Sequence, residues 1–156
     1  MKSRPIATRA AAFAAMLLGA CALMSPLAAA ASDHAITATN AWVRWLPSNL
    51  PAAGYVTLTN SSGKNIDLTE ITSPDYGSAM LHRTVSNGST TNMIMVDKAT
   101  VPAHGSLAIA PTGYHIMLEA PTRKIAPGAT VHLKLKFSDG ETLDTPFAVK
   151  PPGTAN

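Results

Sequence analysis

The chain has 156 residues, with 12 Lys and Arg against 9 Asp and Glu. The basic excess lies within the first 31 residues, which hold Lys2, Arg4 and Arg9. The remainder carries nine residues of each sign, so no nucleic-acid footprint follows from its charge. The single cysteine, Cys21, sits in the same leading stretch, which excludes a disulfide framework, a thiolate metal site and thiol catalysis from everything after it.

Residues 1–31 read as a secretory signal peptide that is removed. A basic start is followed by an apolar run from Ala10 to Leu23 and by small residues from Ala28 to Ala31, as a signal peptidase requires. The run is short for a permanent membrane span. Leu18-Gly19-Ala20-Cys21 also allows lipoprotein processing at Cys21. About 125 residues remain, enough for one domain with its own core. The expected boundaries are 32–150 for the domain and 151–156 for a short flexible tail.

In chain order, Ile36 to Arg44 reads as a first strand, with Ile36, Ala38 and Trp42 on one face. Gly54 to Asn60 alternates with period two and places Val56 and Leu58 together. Ser61 to Asn65 is a turn by composition, and the strand from Ile66 to Ile71 is expected to pair back as a hairpin. After Ser73-Pro74-Asp75 come Ala79 to Val85, an Asn87-Gly88 hairpin turn and Met93 to Val96. Further strands run over Ser106 to Ile109 and Tyr114 to Leu118. Val131 to Phe137 has the cleanest alternation, with Val131, Leu133, Leu135 and Phe137 inward and His132, Lys134 and Lys136 outward. A last strand covers Leu143 to Val149. Seven to nine short strands at regular spacing, with no helical stripe after the leader, predict an all-β Greek-key sandwich or barrel.

The chemistry concentrates between Met80 and Met117. This stretch holds all four methionines beyond the leader (Met80, Met93, Met95 and Met117) and three of the five histidines, His82, His104 and His115. Residues two apart on a strand share a face, so His115 can act with Met117, Met80 with His82, and Met93 with Met95. Imidazole and thioether are neutral donors, and soft sulfur favours Cu(I). Methionines can equally fill a core. Histidines fit that account less well, since a buried polar group without a partner costs roughly 1–3 kcal/mol. His104, in a Pro-Ala-His-Gly turn, and His132, on a polar face, read as surface residues.

The series His82-x10-Met93-x21-His115-x-Met117 resembles the motif of the periplasmic CuA chaperones, the PCuAC family. Ala41-Trp42-Val43-Arg44, Ala52-Ala53-Gly54-Tyr55, Thr59-Asn60, Pro102-Ala103-His104-Gly105 and Gly113-Tyr114-His115-Ile116-Met117-Leu118 look like further landmarks of that family. The resemblance covers essentially the whole chain after the leader. It implies a cupredoxin-like β-sandwich, not an enzyme, that binds Cu(I) through His82, Met93, His115 and Met117. It also implies a periplasmic location without a membrane span in the mature form, and delivery of copper toward the CuA subunit of cytochrome c oxidase or to a thioredoxin-fold copper chaperone. A pairing shifted by two residues would exchange Met93 for Met95. The His- and Met-rich C-terminal tail of many relatives is missing here.

Two other functions are open on these residues: periplasmic copper storage or tolerance, and a metal-free structural β-sandwich. A Cu(II) position is also conceivable at a processed N-terminus. Cleavage after Ala31 would leave Ser32-Asp33-His34, whose amine, two amide nitrogens and imidazole can close a square-planar cage. Cleavage one residue earlier, or processing at Cys21, would remove it.

Overall fold

Strand β9, Thr130–Phe137, is built as its alternation dictates: Val131, Leu133, Leu135 and Phe137 are buried while the residues between them are exposed. The structure, a computed structural model, describes residues 34–48 and 50–153. The stretch read as a signal peptide, the expected cleavage region through Asp33 and the last three residues lie outside the described residues.

The other strands are β1 Ile36–Arg44, β2 Ala52–Asn60, β3 Ile66–Thr72, β4 Tyr76–Ser86, β5 Thr91–Met95, β6 Ala99–Val101, β7 Ser106–Ile109, β8 Tyr114–Pro121 and β10 Thr142–Lys150. Among the described residues ten strands therefore stand where seven to nine were expected. The additional one, β6, is three residues long, and its single Ala-Thr-Val alternation is too short to stand out in the sequence. All ten join one hydrogen-bonded sheet in the order β5-β4-β8-β7-β2-β1-β10-β9-β3-β6, with β8 also pairing β2 and with β1 and β10 running parallel. The two outermost strands in that order, β5 and β6, are separated by only Val96, Asp97 and Lys98. Four residue steps span at most about 15 Å, so the sheet has to fold back on itself. Its inner faces meet in one core, to which Val56, Leu58, Leu81, Ile116 and Leu118 contribute from one half and Leu68, Leu133, Leu135, Phe137 and Phe147 from the other. The fold is an all-β, cupredoxin-like sandwich with crossed, Greek-key connections.

Two sequence expectations fail, each for a physical reason. β2 and β3 do not form a hairpin: β2 pairs with β1, β7 and β8, and β3 with β6 and β9. Ser61–Asn65 carries the chain across the sandwich instead, around the buried side chain of Asn60. Its Nδ2 donates to the carbonyls of Lys64 (2.7 Å) and Val101 (3.2 Å), and its Oδ1 accepts from Ser62 N and Oγ. With all its amide valences used, Asn60 is a satisfied buried polar group. Trp42 also leaves the face of Ile36. The β1–β2 register shifts between Thr39 and Trp42, where Asn40 has φ 53°, so Val43 enters the core and Trp42 and Arg44 turn outward.

Candidate metal centre

On β4 the odd-numbered Leu81 points into the core, so Met80, His82 and Thr84 point to the outer face. On β8 the core takes Ile116 and Leu118, leaving His115 and Met117 outside. Pairing of β4 with β8 sets His82 opposite His115 and Met80 opposite Met117. Thr84 N donates to the Gly113 carbonyl at 3.0 Å, two steps along the ladder. His82/His115 is therefore also a hydrogen-bonded pair, with Cα atoms about 5.5 Å apart. The imidazoles meet edge to face with centroids 5.6 Å apart and planes at 72°.

The hairpin through Asn87 and Gly88 adds β5 on the other side of β4. Gly88 takes φ 93°, which suits this tight reversal. Met95 lies opposite His82 and Met93 opposite Thr84. Val96 N donates to the Leu81 carbonyl at 3.0 Å, so these same-face pairs are the closer, non-hydrogen-bonded kind, about 4.5 Å between Cα atoms. The fold thus brings all four sequence-predicted residues, His82, Met93, His115 and Met117, onto one outer face.

Met93, His115 and Met117 line one cleft of about 330 Å³, together with Arg44, Ala53, Tyr55 and Pro152. Met95 instead lines a separate cleft with Met80, Glu70 and Asp97. Met93 and Met95 are 63% and 65% exposed, whereas His115 is buried at 5%. One nitrogen of each ring, His82 Nδ1 and His115 Nε2, is buried without a hydrogen-bond partner among the described residues. Burial holds the His115 pKa below the ordinary imidazole value. A hydrogen bond to the Gly113 backbone opposes the shift, and the nearby His82 and Arg44 reinforce it. His115 is accordingly a neutral donor around pH 7. Two unpartnered imidazole nitrogens beside thioethers suit a soft cation. Among the described residues no three His, Cys, Asp or Glu side chains gather, so a harder ion has no comparable set.

The remaining histidines stay apart. His104 is exposed on its turn at φ 51°, and His132 is exposed with Nδ1 2.9 Å from Asp144 Oδ1. His34 Nδ1 lies 2.8 Å from Glu141 Oε1. Sequence reasoning singled out Arg44, Ala53 and Tyr55 as family landmarks but did not place them at the site. Arg44, Ala53 and Tyr55 are brought there by β1 and β2, and Pro152 by the segment read as a free tail. Gly54 allows the close approach of β2, since a Cβ there would lie 3.3 Å from that of Ile116. Only the parity of β1 and β2 relative to β8 could have revealed Arg44 and Ala53, and the bulge at Asn40 hides it.

The profile of the family described as "Putative lipoprotein LpqE-like" matches residues 36–149. A protein of Leifsonia xyli subsp. xyli (strain CTCB07) named "Putative lipoprotein Lxx21020" is 33% identical over 154 residues, covering 95% of this chain and 92% of its own. Among solved structures, Cu(I)-bound DR1885 of Deinococcus radiodurans is 37% identical with a TM-score of 0.58, over 74% of this chain and 76% of its own. The copper-bound PCuAC domain from PmoF2 superposes with a TM-score of 0.64 at 22% identity, over 76% of this chain and 95% of its own, a likeness of fold. The chain belongs to the LpqE-like family, and its β-sandwich is that of the PCuAC domains.

Proposed function

We propose that this protein is a non-catalytic Cu(I) carrier of the cell envelope, which holds the ion through His82, Met93, His115 and Met117. One observation carries the reading: His82 and His115 stand opposite each other with one buried, unpartnered nitrogen apiece, beside a cleft that Met93 and Met117 line. The copper named in the DR1885 and PmoF2 structures supports it. The position of the methionines weighs against a metal-free structural module, since none of the buried core residues described is a methionine. All four donors are neutral and include no thiolate, so a bound Cu(I) keeps its charge and can pass to a stronger thiolate acceptor without a change of oxidation state. Delivery toward the CuA site of cytochrome c oxidase, directly or through a thioredoxin-fold chaperone, fits that chemistry better than storage, for which one ion per domain is a small capacity.

The lipoprotein names of the relatives favour processing at Cys21 within Leu18-Gly19-Ala20-Cys21, and so a lipid-anchored, exported protein. Such a terminus leaves His34 far from third place and removes the Cu(II) cage at Ser32. The decisive experiment is a competition titration against a coloured Cu(I) chelator under reducing conditions. One tightly bound equivalent is expected, and it should be lost in His115→Ala with the fold retained. Wild-type protein that takes up no Cu(I) would refute the reading.

A further inference from the structure

Arg44 is the one charged side chain among the described residues that line the metal-facing cleft. Strand pairing explains how it arrives: Lys150 lies opposite Arg44, Arg44 opposite Ala53, and Ala53 opposite Met117. These residues form a row across the outer face, with neighbouring strands about 4.8 Å apart. Ala53 is too small to block the line from the guanidinium to the thioether.

Both cations rest on aromatic rings. Arg44 Cζ lies 5.1 Å from the Tyr55 ring centroid and Lys150 Nζ 5.0 Å from that of Trp42. The rings themselves are neighbours, with centroids 4.7 Å apart. Neither cation has an ion pair among the described residues, whereas Lys98, Arg123 and Lys136 each have a carboxylate partner. Stacking on a ring fixes a guanidinium while its edge N–H groups stay available for a planar anion. An unneutralised guanidinium beside a cation-binding cleft cannot assist the neutral donors in holding Cu(I), because like charges repel. It can draw in an anionic group that arrives to collect the ion.

We infer that Arg44, seconded by Lys150, is the docking point for a carboxylate-bearing protein acceptor at the mouth of the metal cleft. This rests on the Cu(I)-carrier reading. Steering of this kind acts mainly on the rate of encounter and is screened by salt.

The test follows Cu(I) transfer by stopped flow from the loaded full chain to two chelators, the dianionic bathocuproine disulfonate and the uncharged neocuproine. Arg44→Gln should slow transfer to the disulfonate by roughly three- to tenfold at low salt. Arg44→Lys should keep most of the rate, and Arg44→Gln should change transfer to neocuproine far less than transfer to the disulfonate. Raising the salt should erase the difference between wild type and Arg44→Gln. A hexaglutamate peptide should inhibit the wild type and not the variant. If Arg44→Gln does not fold, Lys150→Gln and the wild-type salt series carry the same comparison. Equal slowing with both chelators, or no slowing with either, would overturn the docking point while leaving the carrier reading intact. Failure of wild-type protein to load Cu(I) would instead overturn the carrier reading.

Discussion

Met93 and Met95 sit two residues apart on one strand and are almost equally exposed, and Met95 is the one paired with His82, so neither spacing, burial nor pairing favours Met93; the clefts they line do. Met93 shares a cleft with His115 and Met117, while Met95 shares one with Met80. Met93→Leu should therefore weaken Cu(I) binding in a chelator competition, and Met95→Leu should leave it nearly unchanged. The opposite ranking would move the sulfur ligand to Met95. His115→Ala should weaken binding by more than the roughly 10–100-fold typical of losing an outer-shell partner, whereas His104→Ala should have no effect. The depressed pKa of His115 also has a direction. Protons compete with the metal only below a ligand's pKa, so the His115 contribution should persist below the ordinary imidazole value of about 6.5 and fade at lower pH. A titration of affinity between pH 7.5 and 4.5 checks this, and an affinity that does not fall anywhere in that range would remove His115 from the site.

At the scale of elements, the site depends on β2 bringing a small residue next to β8. Ala53→Leu adds bulk between Arg44 and Met117 on a half-buried outer face, so it should fill the cleft and weaken Cu(I) binding while changing stability by about 1 kcal/mol or less. Equilibrium unfolding beside a metal titration separates the two effects. A stabilising polar contact lies away from the site, at the crossing from β3 to β4. There the largely buried Asp75 accepts from Arg123 Nε at 2.6 Å and from His132 N at 2.8 Å. Burial alone would raise its pKa, but the Arg123 and His132 interactions outweigh it and the net shift is downward. A lowered folded-state pKa means that this stabilisation is complete above the unfolded value of about 3.9 and is lost as pH falls through the folded one. Asp75→Asn should cost roughly 1–3 kcal/mol at neutral pH by urea denaturation, and the deficit should shrink in acid. Elements defined by local signals were legible in the sequence. β9 follows from alternation and the β4–β5 turn from Asn87-Gly88. The destination of β3 was not legible, because Asn60 turns the chain across the sandwich through a contact with Val101, forty-one residues away. The outward turn of Trp42 was hidden by a single extra residue in β1.

For the whole molecule, the sequence pointed to the right class because short alternating strands leave few other ways to bury Val131, Leu133, Leu135 and Phe137. It also put His115 with Met117, because the period of two does so whatever their partners are. It could not supply the cleft's walls, which come from strands distant in sequence and from Pro152 beyond the last strand. The alternation that delivers His82, His115 and Met117 outward delivers Leu81, Ile116 and Leu118 inward. The proposed copper donors and the core packing are thus carried by the same strands on opposite faces. The apo chain should accordingly unfold in one cooperative thermal transition, and Cu(I) should raise the midpoint by ligand linkage alone, with an unchanged far-UV spectrum. An apo chain without a cooperative transition would show that the ion helps to build the fold. A carrier arranged in this way is reusable: it can be emptied by one recipient and refilled from the next donor without refolding between rounds.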